Sequence, residues 1–301
     1  KKNEMVSIIG PSGSGKTTCF DVAIDDEFKR GDEENIKKKI CIVYPRIALA
    51  LDQQGRLREK KNVEFTSFHS GGVEASVNAL SRKQISTTSV EELKEIIDTT
   101  DKHHITICSY NSFSKISNLD FDLIICDDGL QHYALHRDVE IVVMDDRKVG
   151  SGYLLPMGPL REGQWRLGTV DALVHNSRSM PTFSHAVAPQ YLMTLVAGDF
   201  TSVSNRVRTS PLEEIQKVPC SAIAGIGSPQ RFFSQLKEMG IQLSSATRLA
   251  DHHAITRSDI PNGRVLMTEK DAVKAAPFAH NDCWFFPVTA HLTPDFFNLV
   301  N

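Results

Sequence analysis

Lys16 and the adjacent carboxylates Asp127 and Asp128 are the side chains of this 301-residue sequence best suited to chemistry. Lys16 and Thr17 close the run Gly10-Pro-Ser-Gly-Ser-Gly-Lys-Thr17, which directly follows apolar Met5-Val-Ser-Ile-Ile9. This is the G-x-x-x-x-G-K-[ST] pattern in the strand–loop–helix setting it requires. Around Gly10, Ser12, Gly13, Ser14 and Gly15 the backbone N–H groups can wrap phosphate oxygens. The helix that starts at Lys16-Thr17-Thr18 turns its positive end toward them. Lys16 is expected to reach the β- and γ-phosphates and the Thr17 hydroxyl to ligate Mg²⁺, so ATP·Mg²⁺ is the expected cofactor pair.

Asp127-Asp128-Gly129 follows Phe121-Asp-Leu-Ile-Ile-Cys126 and reads as the acidic end of a buried strand. Carboxylates there can hold Mg²⁺ directly or through water. A solvated Asp-Asp-Gly turn is the plainer alternative, and the apolar strand with the upstream loop favours the acidic pair. Asp251-His252-His253 is a second candidate, because a carboxylate beside a histidine fixes its tautomer and raises its basicity. Taken alone, that triplet is more often a surface turn. Thr268-Glu-Lys-Asp271 reads as a helix start with two acids in its first turn, which capping and the helix dipole explain. Gly225-Ile-Gly227 lacks the third glycine of a dinucleotide fingerprint, and a tight strand-to-helix turn accounts for it.

The elements that must position these groups alternate. Strands are expected at Ile40–Tyr44, Val63–Thr66, Ile105–Cys108, Leu123–Cys126, Ile141–Met144 and Ala172–Val174. Helical stretches lie between the earlier ones, one opened by a capping box, Ser89-x-x-Glu92. The expected fold class is α/β, a phosphate-loop parallel sheet with helices on both faces plus a second, smaller α/β domain. The expected boundaries are 1–180 for the nucleotide-binding domain and 181–301 for the smaller one, with Tyr191–Leu195 among connecting strands. Gly31-Asp32-Glu33 sits in a charged run that reads as a loop.

Bulk properties exclude some classes. A formal charge of −3 gives no global basic field for nucleic acid. The six cysteines show no C-x-x-C pair, so reduced, buried thiols are expected. No apolar stretch approaches the ~20 residues that span a bilayer, and no signal peptide is visible. Composition shifts sharply at Asp127. Before it stand 13 Lys and 5 Arg, and from it onward 5 Lys and 11 Arg, while proline rises from 2 to 11. Either two domains differ in loop content or two sources have been joined, and the motifs favour the second.

Two resemblances meet at that seam, near residues 120–128. Tyr44-Pro-Arg-Ile-Ala-Leu-Ala-Leu-Asp-Gln53, Phe68-His-Ser-Gly71, Ile107-Cys-Ser-Tyr-Asn-Ser112 and Phe121–Asp127 resemble, in order, the first motor domain of a superfamily-2 helicase. Such helicases continue Asp-Glu-Ala-His, whereas this chain has Asp127-Asp128-Gly129-Leu130, so a working helicase is not expected. From Asp127 onward the chain resembles tetraacyldisaccharide 4'-kinase. The blocks are Asp127–Tyr133, Arg137–Val143, Leu154–Glu162, Val170–Val174, Ala224–Phe233, Asp251–His253, Met267–Lys274 and Trp284–Val288.

That resemblance implies transfer of the ATP γ-phosphoryl group to the 4'-hydroxyl of a tetraacyldisaccharide 1-phosphate in lipid A biosynthesis. Lys16, Asp128 and His252 would be the catalytic residues, with Thr17, Asp127 and Asp128 on Mg²⁺. His252 is preferred to His253 because it directly follows the aspartate. The kinase family's N-terminal half, which supplies the acid that works with that histidine, has no recognisable counterpart here. The implied partner is the lipid A disaccharide precursor at a membrane surface, and the implied location is cytoplasmic, peripheral on the inner membrane. A helicase-like nucleic-acid-dependent ATPase and a nucleotide-binding fusion without turnover are the alternatives.

Overall fold

The computed structural model describes residues 4–10, 14–45, 62–69, 85–181, 188–227, 229–250 and 253–300. The chain divides into two compact units, Lys1–Thr194 with Ala290–Asn301, and Leu195–Thr289.

The first unit opens with β1 (Glu4–Ile9), α1 (Lys16–Glu34) and β2 (Lys39–Tyr44). Next come β3 (Val63–Phe68), β4 (Ile85–Thr87), α2 (Val90–Thr99), β5 (His103–Ser109), α3 (Tyr110–Ile116) and β6 (Leu123–Asp127). β7 (Val139–Asp145), β8 (Ala172–Asn176) and β9 (Gln190–Ala197) complete the run. The chain later returns with β16 (Val288–Leu292) and α7 (Pro294–Val300). The sheet order is β16-β9-β8-β7-β1-β6-β2-β5-β3-β4, and every neighbouring pair from β9 to β4 is parallel.

Central strands of this sheet are buried along almost their whole length, which is why they read as continuous apolar runs rather than alternating ones. One face holds Cys41, Val43, Cys108, Ile124 and Cys126 against Leu93 and Ile97 of α2 and Phe113 of α3. The intervening residues, such as Ile40, Ile42, Ile105 and Ile125, point to the opposite face by the two-residue strand period and are equally buried. Truncating one such residue, for example Ile42→Ala, should cost about 2–5 kcal/mol.

Two local expectations are corrected. Gly31-Asp32-Glu33 is helical, lying in the last turns of α1, which ends at Asn35 in the left-handed region. Ion pairs at helical spacing, Arg30–Asp26 and Lys29–Glu33, suit the charged run to a helix surface. A Cβ on Gly31 would stand 2.6 Å from Lys38 Cγ and 2.7 Å from the Ile36 carbonyl, so the returning chain requires glycine there. The Ser89 capping box is only half formed. Ser89 Oγ accepts from the Glu92 N–H, but the Glu92 carboxylate takes the Thr87 hydroxyl instead of reaching back to Ser89.

The second unit comprises β10 (Phe200–Ser202), β11 (Thr209–Ser210), α4 (Leu212–Ile215), β12 (Cys220–Ala224), α5 (Pro229–Glu238) and β13 (Leu243–Arg248). It continues with β14 (Val265–Met267), α6 (Glu269–Ala275) and β15 (Cys283–Phe285). Its sheet order is β11-β10-β15-β14-β12-β13, parallel from β15 to β13 and antiparallel at β10. Phe232, Phe233 and Leu236 of α5 close its core over Ala222, Ala224 and Trp284. All six cysteines are buried and free. No helix among the described residues is long and apolar enough to cross a membrane.

Candidate active site

The turn after β1 is held by contacts that only glycine permits. A Cβ on Gly10 would fall 2.0 Å from the Val143 carbonyl oxygen of β7. Gly15 is the N-cap of α1 at φ +95°, where a Cβ would stand 2.7 Å from Met193 Cε and 2.8 Å from Asn176 Nδ2. Asn176, the last residue of β8, donates from Nδ2 to the Ser14 carbonyl at 2.9 Å and braces the loop. Sequence reasoning missed Asn176, because a single asparagine at a strand end carries no pattern. Ser12 and Gly13 lie outside the described residues.

Behind Gly15, α1 begins at Lys16 with no side-chain cap and no acid in its first turn. Its first N–H groups therefore have no partner from the helix itself, and its dipole is not offset locally. Among the described residues, Ser14 Oγ and Ser7 Oγ are buried without a hydrogen-bond partner. Thr17 is half-buried and Thr18 buried in the same turn. Uncapped amides, an orphaned hydroxyl and a lysine suit an anion with several acceptor oxygens.

Asp127 and Asp128 arrive from β6, the immediate neighbour of β1. Asp127 stands opposite Ile8, and the Asp128 N–H donates to the Ile8 carbonyl at 3.3 Å. Asp128 has φ +52°, a left-handed turn that aspartate tolerates better than most residues. Its Oδ1 is 2.5 Å from Lys16 Nζ, which also donates to the Gly10 carbonyl at 2.7 Å. Sequence-distant Lys16 and Asp128 are thus brought into direct contact. Burial pushes the Asp127 carboxyl up to about 6, with Lys16 opposing and Asp128 adding to the shift.

The turn after Asp128 is tightly packed. Tyr110 donates its hydroxyl to the Asp127 carbonyl at 2.8 Å, and a Cβ on Gly129 would lie 2.8 Å from that hydroxyl oxygen. Arg137 donates to the Gly129 and His132 carbonyls and pairs with Glu140 at 2.7 Å. The Asp-Asp-Gly segment is therefore a packed turn at a strand end, with Asp127 buried and Asp128 half-buried.

Thr17, Asp127 and Asp128 offer only oxygen donors, which fit Mg²⁺ better than zinc or copper. Among the described residues no group of three or more His, Cys, Asp or Glu side chains converges as a metal cage. Mg²⁺ characteristically takes one or two carboxylates and fills its other positions with phosphate oxygens and water. The donor set present fits that pattern.

In the second unit, Asp251 and His252 lie outside the described residues. His253 is described, and its Nε2 is 3.2 Å from Asp259 Oδ2. Asp259 also accepts from the Thr256 N–H at 2.8 Å and the Thr256 hydroxyl at 2.7 Å. Asp32 hydrogen-bonds His103 Nε2 at 3.0 Å. That histidine is buried, stacks on Phe28 and accepts the Lys38 N–H, so the pair ties α1 to β5.

The family model for tetraacyldisaccharide-1-P 4'-kinase matches residues 110–301. A DEAD/DEAH box helicase model matches residues 1–147, so the two overlap across β6 and its acidic end. Tetraacyldisaccharide 4'-kinase of Pseudoalteromonas atlantica is 48% identical over 178 residues, 59% of this chain and 56% of the relative. That of Methylobacillus flagellatus is 46% identical over 175 residues, 57% of this chain and 50% of the relative. The chain spans about half the length of these curated relatives. In fold it is similar to a crystal structure of the "apo" form of LpxK from Aquifex aeolicus in complex with ATP. The TM-score is 0.61 at 20% identity, covering 99% of this chain and 86% of that one. With an acidic strand end, a braced turn and well over half the sequence matched in one continuous stretch, the chain belongs to the tetraacyldisaccharide-1-P 4'-kinase family.

Proposed function

We propose that this protein transfers the γ-phosphoryl group of ATP to the 4'-hydroxyl of a tetraacyldisaccharide 1-phosphate, a step of lipid A biosynthesis. The observation that carries the reading is the 2.5 Å contact between Lys16 and Asp128. It joins a phosphate loop to the first acidic block of the kinase-matching region. Lys16 neutralises charge on the transferred phosphoryl, and the α1 amides hold the remaining phosphate oxygens. Thr17, Asp127 and Asp128 are assigned to Mg²⁺, which would screen the β- and γ-oxygens when bound. His252 is assigned the acceptor proton.

The chain is further read as a joined molecule. A helicase-like phosphate-loop region leads into the kinase region near residues 120–128, a joint supported by the two family matches and the composition shift. The functional division at 1–180 and 181–301 goes with that reading. The acceptor is a lipid A precursor at a membrane surface, which would place the protein peripherally on the cytoplasmic face of the inner membrane. The test is radiolabelled phosphoryl transfer from ATP to tetraacyldisaccharide 1-phosphate in detergent micelles. Labelled product from the wild type but not from Lys16→Ala supports the proposal.

A second reading rests on the helicase match over residues 1–147, which points to an ATPase stimulated by nucleic acid. Net charge −3 weighs against it. Adding single-stranded RNA or DNA to the same assay separates the two.

A further inference from the structure

The loop that follows β7 carries its apolar side chains outward. Tyr153, Leu154, Leu155, Met157 and Trp165 are all exposed, Leu155 at 61%, Met157 at 80% and Trp165 at 68%. Tyr133, also exposed, joins them by donating its hydroxyl to Glu162. Other exposed large apolar side chains among the described residues, such as Ile36, Val207 and Phe278, stand singly along the chain. Single ones are ordinary on a protein surface, whereas a cluster marks contact with a partner or a membrane.

The outward arrangement is fixed by the loop's own backbone. The Leu155 N–H donates to the Leu160 carbonyl at 2.8 Å, the Gly158 N–H to the Leu154 carbonyl at 3.0 Å, and the Leu160 N–H to the Tyr153 carbonyl at 3.2 Å. A Cβ on Gly158 would fall 2.3 Å from the Tyr153 carbonyl oxygen, so the turn is closed too tightly for any other residue there. These bonds satisfy backbone groups inside the loop, which lowers the cost of moving its tip out of water.

Charge selects the partner. From Arg147 to Arg161 the chain carries three cations, Arg147, Lys148 and Arg161, all exposed, and no acid, although its formal net charge is −3. The flanking acids are engaged within the protein: Asp145 by Arg147, Asp146 by the Ser177 hydroxyl, and Glu162 by Gln131 and Tyr133. Apolar side chains and polar-tipped aromatics among cations suit the boundary between acyl chains and anionic headgroups. The position suits it too. β7 pairs in parallel with β1, so the loop leaves the same carboxyl edge of the sheet that carries the phosphate loop.

We propose that the loop 147–161, together with Tyr133 and Trp165, docks on an anionic lipid bilayer. Leu155 and Met157 enter the acyl boundary, and Arg147, Lys148 and Arg161 meet headgroup phosphates. The docking gives the proposed kinase its approach to an acylated acceptor, and to that extent it rests on the phosphotransfer reading.

The test is co-sedimentation of the full chain, without nucleotide, with vesicles of phosphatidylcholine alone and of phosphatidylcholine mixed with phosphatidylglycerol. Wild type should bind the mixed vesicles several-fold more tightly than the neutral ones, and the difference should shrink as salt rises. Leu155→Ser with Met157→Ser should weaken binding to mixed vesicles roughly 10-fold to 100-fold, with ATP affinity and melting temperature unchanged. Both positions are exposed, so little stability is at stake, and Met157→Ser alone serves if the double variant does not fold. A wild type that stays in the supernatant, or a folded double variant that sediments like wild type, overturns the proposal. A concentration-dependent dimer that the double variant abolishes, without vesicle binding, gives the patch to a second copy of this chain and overturns it as well. Phosphoryl transfer to micellar acceptor by a wild type that ignores vesicles defeats the docking alone. Vesicle binding through this loop by a protein that transfers nothing supports the docking and defeats the kinase reading.

Discussion

Lys16 and Asp128, 112 positions apart in sequence, share an ion pair of 2.5 Å at the junction of β1, α1 and β6. The contact exists because β6 pairs directly with β1, so the residue after the strand end meets the first residue of the helix. Lys16 is mostly shielded from solvent, with 14% side-chain exposure, so its charge acts in a medium where it is screened less than at the surface. Lys16→Ala should reduce ATP affinity at least tenfold, read by equilibrium nucleotide binding, with little loss of melting temperature. Unchanged affinity would remove the loop from the nucleotide site.

A second expectation concerns acid stability and not catalysis. His104, fully buried in β5, hydrogen-bonds Thr66 Oγ1, and burial lowers its pKa from 6.5 to about 4, with Lys39 adding to the shift and Glu64 opposing it. Between those values the unfolded chain binds a proton that the folded chain refuses, so stability falls as pH drops from about 6.5 to about 4. The loss amounts to roughly 3 kcal/mol at most. Urea midpoints for wild type and His104→Gln across that range check it. The variant should show a flatter profile, and identical slopes would contradict the assignment.

The third expectation is that His252→Ala lowers kcat for phosphoryl transfer by about 10²–10⁴-fold while nucleotide affinity stays constant. His253→Ala is the comparison, because His253 already has an acid partner in Asp259. If only His253→Ala abolishes transfer, the Asp259-supported histidine carries the proton instead. Equal rates for all three proteins would take both residues out of the chemistry.

Much of the first unit was legible because its signals are local. A glycine-rich loop after an apolar strand and an acid pair after another required no knowledge of distant residues. The strands at Ile40–Tyr44, Ile105–Cys108 and Ala172–Val174 appear where their apolar runs lie. Gly31-Asp32-Glu33 misled, because glycine and dense charge suggest a loop. The helix persists there because the chain returns over Gly31 and Asp32 gains His103 as a partner. Asn176 and Tyr110 could not be read ahead, because each acts on a backbone carbonyl of another element, Asn176 on Ser14 and Tyr110 on Asp127. Thr87's role in the α2 cap was hidden for a related reason, since its hydroxyl occupies the place the motif gives to a backbone N–H.

Phosphoryl transfer is measured most directly by comparing acceptors in one assay, with ATP labelled at the γ-position and wild-type protein. It is run with micellar tetraacyldisaccharide 1-phosphate, with single-stranded RNA or DNA, or with neither. Label is expected on the disaccharide, with no stimulation of phosphate release by nucleic acid. Absence of labelled disaccharide, together with a several-fold, salt-sensitive stimulation by RNA or DNA, would contradict the kinase reading.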